Sequence, residues 1–400
     1  MPGSGFTARL AAAAAIGLSG LLISCQQPEP RFFDSDNYPA QLSAWQLFQL
    51  NAGEQGHQLT LNPEILPYQL ATPLFSDYAL KLRTVWLPDG TAARYQDIDT
   101  FEFPVGTIIS KTFYYPVATP AVTENDSEGA GSDEKPRLLK AGANTSAVIG
   151  GALPLDRFRL IETRLLVHQP SGWEALPYVW NNEQTEATLQ IAGDIQRLPL
   201  EDSTLTYVVP NRNECAGCHV LDQNKGDLSP IGPAARHLNR LVALDDGEHT
   251  RQLDVWQQRG WLTDLPAPEQ IPANAVWRDS VHEEDSEEAI AQRARAYLDI
   301  NCGHCHQPGG SGDTSGLFLH AGETSAMRLG VCKPPVAAGR GAGGHRFSIL
   351  PGQPENSILS YRIASQETGV LMPELGRSLV HDQGLQLIEA WIAQQPGHCN

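Results

Sequence analysis

Cys215-Ala216-Gly217-Cys218-His219 and Cys302-Gly303-His304-Cys305-His306 are two copies of one pattern, Cys-x-x-Cys-His. On a helical turn, cysteines at i and i+3 share a face, and the histidine at i+4 lies beside them. Thiols so placed can add to the two vinyl groups of a porphyrin, while the imidazole supplies a proximal ligand to its iron. With 7 Cys and 12 His in 400 residues, chance would give about 0.004 such matches. Two copies therefore point to two covalently attached c-type haems. A zinc ribbon and a dithiol redox motif are the competing readings. Zinc ribbons usually set their Cys-x-x-Cys pairs about 15–20 residues apart, far closer than positions 215 and 302. A thioredoxin-like pair needs no histidine directly after its second cysteine.

The N-terminus agrees with export. Arg9 is the one charge ahead of an apolar run from Leu10 to Ile23. That run is short for a bilayer span and reads as the core of a signal peptide. It ends in Leu22-Ile23-Ser24-Cys25, which resembles the lipobox of bacterial lipoproteins. The resemblance implies cleavage before Cys25, a lipid anchor on its sulfur and, because Gln26 rather than Asp follows, delivery to the outer membrane. An ordinary cleaved signal with Cys25 merely nearby is the alternative. Bacterial c-type haem is attached outside the cytoplasm, so the two readings fit together.

Four cysteines assigned to haem and one to lipid leave Cys332 and Cys399. An even remainder in an oxidising compartment suggests a disulfide, whose long closed loop would be worth about 4 kcal/mol. Two free buried thiols are the alternative.

The formal charge of −18 argues against a nucleic-acid partner, which needs a basic surface. It allows a basic redox partner, although solvated acidic faces are the commoner origin of such a balance. No second apolar stretch reaches transmembrane length. The length suggests two or three domains.

The expected organisation is a signal peptide at 1–24, a tether and short helix at 25–60, and a β-rich domain at 61–210. A first haem segment at 211–265, a linker at 266–288 and a final unit at 289–400 follow. The short helix falls at 41–50. Tyr78–Leu87, Thr107–Tyr115 and the hairpin Leu160–His168/Trp173–Trp180 carry the strand signals, and Ala118–Pro136 is an acidic Gly/Ser-rich insertion. Helical patterns cover Ala234–Val242, Gln252–Arg259, Glu287–Ile300 and Gly384–Ala393. The expected fold class is therefore α+β multidomain: a β-sandwich or barrel-like domain followed by mostly helical c-type haem domains.

From Ala291 to Ala393 the chain resembles a small class I cytochrome c. A helix runs into the second motif, Leu371-Met372-Pro373-Glu374-Leu375-Gly376 resembles the Met-Pro loop of that family, and a last helix follows. The resemblance implies His306 and Met372 as the axial ligands of the haem bound at Cys302 and Cys305. A thioether opposite an imidazole favours Fe(II) and suits a carrier; ordinary packing is the alternative role for Met372. No methionine lies between Met1 and Met327, so the haem at Cys215, Cys218 and His219 needs another sixth ligand or none. His237 is a candidate, and His57, His168 and His249 are weaker ones. The β-rich stretch with Phe103-Pro104-Val105-Gly106-Thr107 and Lys111 resembles the β-domain of a c-type haem family with five-coordinate iron. That family's lysine–porphyrin cross-link is not carried over to Lys111.

Nearly the whole mature chain resembles an uncharacterised family of bacterial dihaem c-type cytochrome lipoproteins. The resemblance rests on Pro73-Leu74-Phe75-Ser76-Asp77-Tyr78-Ala79-Leu80-Lys81, Val331-Cys332-Lys333-Pro334-Pro335 and Met372-Pro373-Glu374-Leu375-Gly376-Arg377-Ser378-Leu379-Val380-His381. It implies two haems and electron transfer in the cell envelope with a redox partner protein. A peroxidase-like enzyme with an open first haem, and a binding module whose haems only report redox state, are the alternatives. A peroxidase would need an acid/base residue over that iron, and no sequence motif identifies one.

Overall fold

The computed structural model describes residues 28–53, 56–118, 136–142, 152–243 and 247–400. The expected signal segment 1–24, the expected lipid-anchor position Cys25 and nearly all of the 118–136 insertion lie outside the described residues.

In chain order the strands are β1 (Phe48–Gly53), β2 (Gly56–Leu61), β3 (Leu66–Tyr68), β4 (Leu80–Trp86), β5 (Ala93–Arg94), β6 (Ile108–Pro116), β7 (Ala152–Pro154) and β8 (Phe158–Gln169). They continue as β9 (Gly172–Trp180), β10 (Ala187–Leu189), β11 (Asp194–Pro199), β12 (Thr204–Val209), β13 (Leu241–Ala243), β14 (His249–Arg251) and β15 (Leu262–Thr263). The helices are α1 (Arg212–His219), α2 (Ala235–Leu238), α3 (Gln252–Gln258), α4 (Glu287–Leu298), α5 (Ile358–Ala364) and α6 (Asp382–Ala393).

The frame is a six-stranded antiparallel sheet in the order β10-β9-β8-β6-β4-β3. Side chains alternate between its faces. One face buries Leu82, Ile108, Leu165 and Val167 against Leu59 and Leu153 of the β1-β2-β7 sheet and against Trp45. On the other face, Val85, Ile109 and Leu166 meet Ala235, Leu238, Leu253 and Trp256 from α2 and α3. Burying each Leu or Ile is worth about 1.5–3 kcal/mol, so the chain after the first motif is held against the sheet. Parallel pairing of β15 with β5 adds a second tie.

The second half is not mostly helical. The protein is predominantly sheet, and from 289 onward regular helix is confined to α4, α5 and α6. Ser286 caps α4 by accepting from the Ala289 amide at 3.2 Å. Ile290, Ala294, Tyr297 and Leu298 of α4 then pack on Leu387, Ile388, Trp391 and Ile392 of α6. Between these helices the chain runs through turns rich in Gly and Pro, which break helical hydrogen bonding. Those turns are tied by contacts such as Cys332 N–H to Ile349 C=O at 3.0 Å and by the Cys332–Cys399 disulfide. Two further expectations change. Residues 41–50 form only a 3₁₀ turn at Leu42–Trp45, stopped by Gln46 at φ 57°, before β1 begins. The pattern over Ala234–Val242 gives a single turn, α2, because the chain then enters β13.

The disulfide spans 67 residues, which in the chain-entropy model corresponds to about 4 kcal/mol. Thiol labelling of the denatured, unreduced protein should leave both cysteines unmodified. Reduction should lower the urea midpoint of the C-terminal unit; stoichiometric labelling before reduction would exclude the bridge in solution.

Candidate functional site

The β11–β12 hairpin delivers the first motif onto α1. Asn211 caps this helix, accepting from the amides of Asn213 and Glu214, while the Glu214 carboxylate returns to the Asn211 amide at 2.9 Å. Such a reciprocal cap is a strong helix start. Cys215 is buried, and Cys218 and His219 are half-buried. The His219 ring bonds through Nδ1 to the Ser229 carbonyl at 2.8 Å, and the Ser229 amide donates to the His219 carbonyl at the same distance. Nδ1 therefore carries the proton and Nε2 is left as the basic nitrogen. Burial, then the neighbouring Lys111, pushes this imidazole down to about 3.

The second motif begins in a π-helical turn, Asp299–Gly303, that continues α4. Glycine is required at 303, where a Cβ would lie 2.9 Å from the His320 Cα. Nδ1 of His306 faces the Leu317 carbonyl at 3.2 Å, and burial lowers this imidazole's pKa as well. The four motif cysteines are free thiols.

The two motifs converge. Cys215, Cys218, His219, Cys302, His304 and Met372 line one open cavity of about 350 Å³. The ligand atoms of Cys218, His304 and Cys305 all lie within 4.8 Å of one another. The closeness of the two sulfurs raises the Cys218 thiol's pKa and lowers that of Cys305. Cys305 also reaches the Gly217 carbonyl at 3.6 Å. His306 is not among the lining residues and sits behind them, against Leu317 and Ser315. Nδ1 of His304, buried at the junction, has no hydrogen-bond partner. This set offers four thiols and three imidazoles, the donors that haem attachment or a thiophilic metal would use.

Two stretches that mattered only as resemblances in the sequence dock on each other here. The Asp77 carboxylate accepts from the amides of Ser378 and Leu379, both at 2.7 Å. Phe75 stacks on His381 with centroids 4.1 Å apart, and Tyr78 donates to the Val380 carbonyl at 3.1 Å. Burial pushes His381 down to about 3. Arg377 shapes the Met372 loop by donating to the carbonyls of Met372, Leu379, Arg362, Ile363 and Ser365.

His237 is placed elsewhere. It is buried with Nδ1 on Asn274 at 3.2 Å and Nε2 3.6 Å from Asp299, and it does not line the cavity. Its surroundings give it a packing role. His57 and His249 are exposed strand residues, and His168 stacks on Trp173.

Residues missed from the sequence are His304, hidden as a variable position of its motif, and Arg83 and Arg164; Lys81 and Lys111 entered there only through resemblances, without the charged row they form with these arginines. Lys81 and Arg83 sit two apart on β4, Lys111 on β6 and Arg164 on β8, a signal whose meaning depends on register. Burial, then Arg164 and Arg83, pushes Lys111 down to about 7. Among the described residues no helix is long and apolar enough to cross a membrane.

Arg377→Met should strand several carbonyls around Met372. We expect a loss of about 3 kcal/mol in urea unfolding, since charged hydrogen bonds are worth about 1.5–3 kcal/mol. Arg377→Lys should recover only part of it, lacking the planar fork; full stability in Arg377→Met would show that the loop holds itself. No family model, curated protein or solved structure matches this chain.

Proposed function

We propose that this chain is a dihaem c-type cytochrome of the bacterial cell envelope, anchored through Cys25, that carries electrons between partner proteins. The observation that carries the reading is that residues of both Cys-x-x-Cys-His motifs line one cavity, with the Cys218 and Cys305 sulfurs within 4.8 Å of each other at its edge. Attachment points this close suit a relay between two bound groups. The donor chemistry fits: His219 and His306 each have Nδ1 engaged by a carbonyl, which orients the ring and leaves Nε2 for iron. The orphaned Nδ1 of His304 is a further sign that the cavity holds a polar or metal-bearing group.

Haem iron, when bound, supplies reversible one-electron exchange. The chain's own residues do the rest. His219 and His306 are held neutral by burial, ready to donate a lone pair. Arg377 orders the loop that presents Met372 to the cavity, supporting Met372 as a sixth ligand of the second haem.

A second reading has its own observation: Cys218, His304 and Cys305 are close enough to hold one thiophilic ion such as zinc. The pyridine haemochrome spectrum of the denatured protein separates the two. We expect two covalent haems per chain, and one after Cys302→Ala with Cys305→Ala. Absence of haem with one equivalent of zinc would establish the metal site instead. Met372→Ala should remove the long-wavelength sulfur-to-iron band of the ferric protein and lower one reduction potential. Cys25→Ala should move the protein from membranes to the soluble periplasmic fraction; persistence at the membrane would point to another anchor.

A further inference from the structure

The sheet face that lines the cavity carries a row of like charges. Arg83 on β4 pairs directly with Lys111 on β6, which pairs directly with Arg164 on β8. Directly opposed residues of antiparallel strands share a face with their Cβ atoms about 5 Å apart, and like charges there are destabilising. Lys81 lies two residues from Arg83 on the same face, opposite Phe113. Arg164, Lys111 and Lys81 gather round the Phe113 ring at 4.4, 5.2 and 5.6 Å from its centroid.

The carboxylates near this row are already engaged. Glu162 is held by Arg164 at 2.5 and 2.8 Å and by the Tyr207 hydroxyl at 2.6 Å. Asp77 is committed to the amides of Ser378 and Leu379. Among the described residues, neither Arg83 nor Lys111 forms an ion pair. Arg83 is only 8% exposed and, like Lys111 and Arg164, lines the cavity that holds Cys215, Cys218 and His219. An unpaired buried cation is costly, and a chain with a formal charge of −18 has concentrated four of its cations here.

We propose that Arg83, Lys111 and Arg164 form a binding site for a carboxylate or small oxyanion inside the cavity. A charge-assisted, partly bidentate cradle is the arrangement that guanidinium and ammonium groups offer such anions. Two sources carry this chemistry. One is the pair of propionate carboxylates of a haem attached at Cys215 and Cys218, a case that rests on the proposed function. The other is a free oxyanion entering through the cavity mouth, which does not.

The test uses the full-length, haem-loaded protein, its Cys215→Ala/Cys218→Ala variant, and Lys111→Met in each. Inorganic phosphate is titrated against chloride at constant ionic strength and followed by calorimetry. For a free oxyanion, the loaded protein binds phosphate and Lys111→Met weakens binding at least tenfold. For propionates, the loaded protein ignores phosphate and Lys111→Met shifts the propionate vibrations in resonance Raman spectra. Removing the first attachment site then uncovers phosphate binding. With the anion in place (saturating phosphate for the free oxyanion, the attached haem for the propionates), Lys111→Met lowers the thermal midpoint. A raised midpoint would overturn the proposal, because deleting one of three facing cations should stabilise a row that holds no anion. So would phosphate indifference in both proteins together with unshifted propionate vibrations. Lys111→Gln provides the same readouts should the methionine variant fold poorly. Haem stoichiometry is counted separately: no haem with Lys111-dependent phosphate binding rejects the cytochrome and keeps the anion site, and two haems with no Lys111 effect does the reverse.

Discussion

The buried carboxylate of Asp77 takes the amides of Ser378 and Leu379 and so fastens the sheet's entry segment to the loop after Met372. The geometry is costly. Asp77 and Tyr78 both adopt left-handed backbone, at φ 49° and 61°, a conformation worth roughly 1–2 kcal/mol of strain per residue. Desolvation also raises the Asp77 pKa against the pull of its two amide donors. What offsets these costs is a set of bonds that only this conformation permits. The Tyr115 hydroxyl donates to the Asp77 carbonyl at 2.8 Å, Tyr78 reaches Val380, and Phe75 lies flat on His381. Consecutive strained non-glycine residues persist only where surroundings over-determine them, and here they close one side of the cavity.

The cavity is a seam rather than a pocket within one unit. Its walls come from β4, β6, β8 and β9, from α1 and the loop after it, from the π-helical turn and from the Met372 loop. The apolar cluster under α2 and α3 holds the first motif's downstream chain to the sheet, and the Asp77 contacts hold the Met372 loop. The second motif is drawn in by Asn301, whose side chain accepts from the Phe75 amide at 2.8 Å. These three ties meet at the Cys218–Cys305 contact. A bound group there would touch both halves of the chain, so occupancy and folding are coupled.

The charge pattern follows the same logic. An apolar row, Val85–Ile109–Leu166, packs the sheet against α2 and α3 and borders the cavity through Ile109 and Leu166, and the cationic row lies next to it across the same strands. Such a change within one sheet face, from sealed core to cavity wall, is how a rigid scaffold presents charge at a fixed spacing.

The residues that line the candidate site were partly legible in the sequence. The Cys-x-x-Cys-His motifs are local, because spacing on one helical turn brings two thiols and an imidazole together whatever the rest of the chain does. The long strands β4, β6, β8 and β9 were also legible, since their residues are β-branched, aromatic and bounded by turns. The pairing of Cys332 with Cys399 followed from elimination and is present in the structure. Other features depended on contacts between distant segments. The helical expectation for the second half failed because short amphipathic patterns do not reveal how much chain between them is held by turns. His237 became a packing residue because Asn274 and Asp299 arrive beside it. The meeting of Cys218 with Cys305, the fastening of Asp77 to residues 378–379 and the row Arg83–Lys111–Arg164 were decided by strand register and packing alone. A shift of one residue in that register would turn every one of the row's charges to the opposite face, and nothing local to Arg83, Lys111 or Arg164 specifies which strand lies beside it.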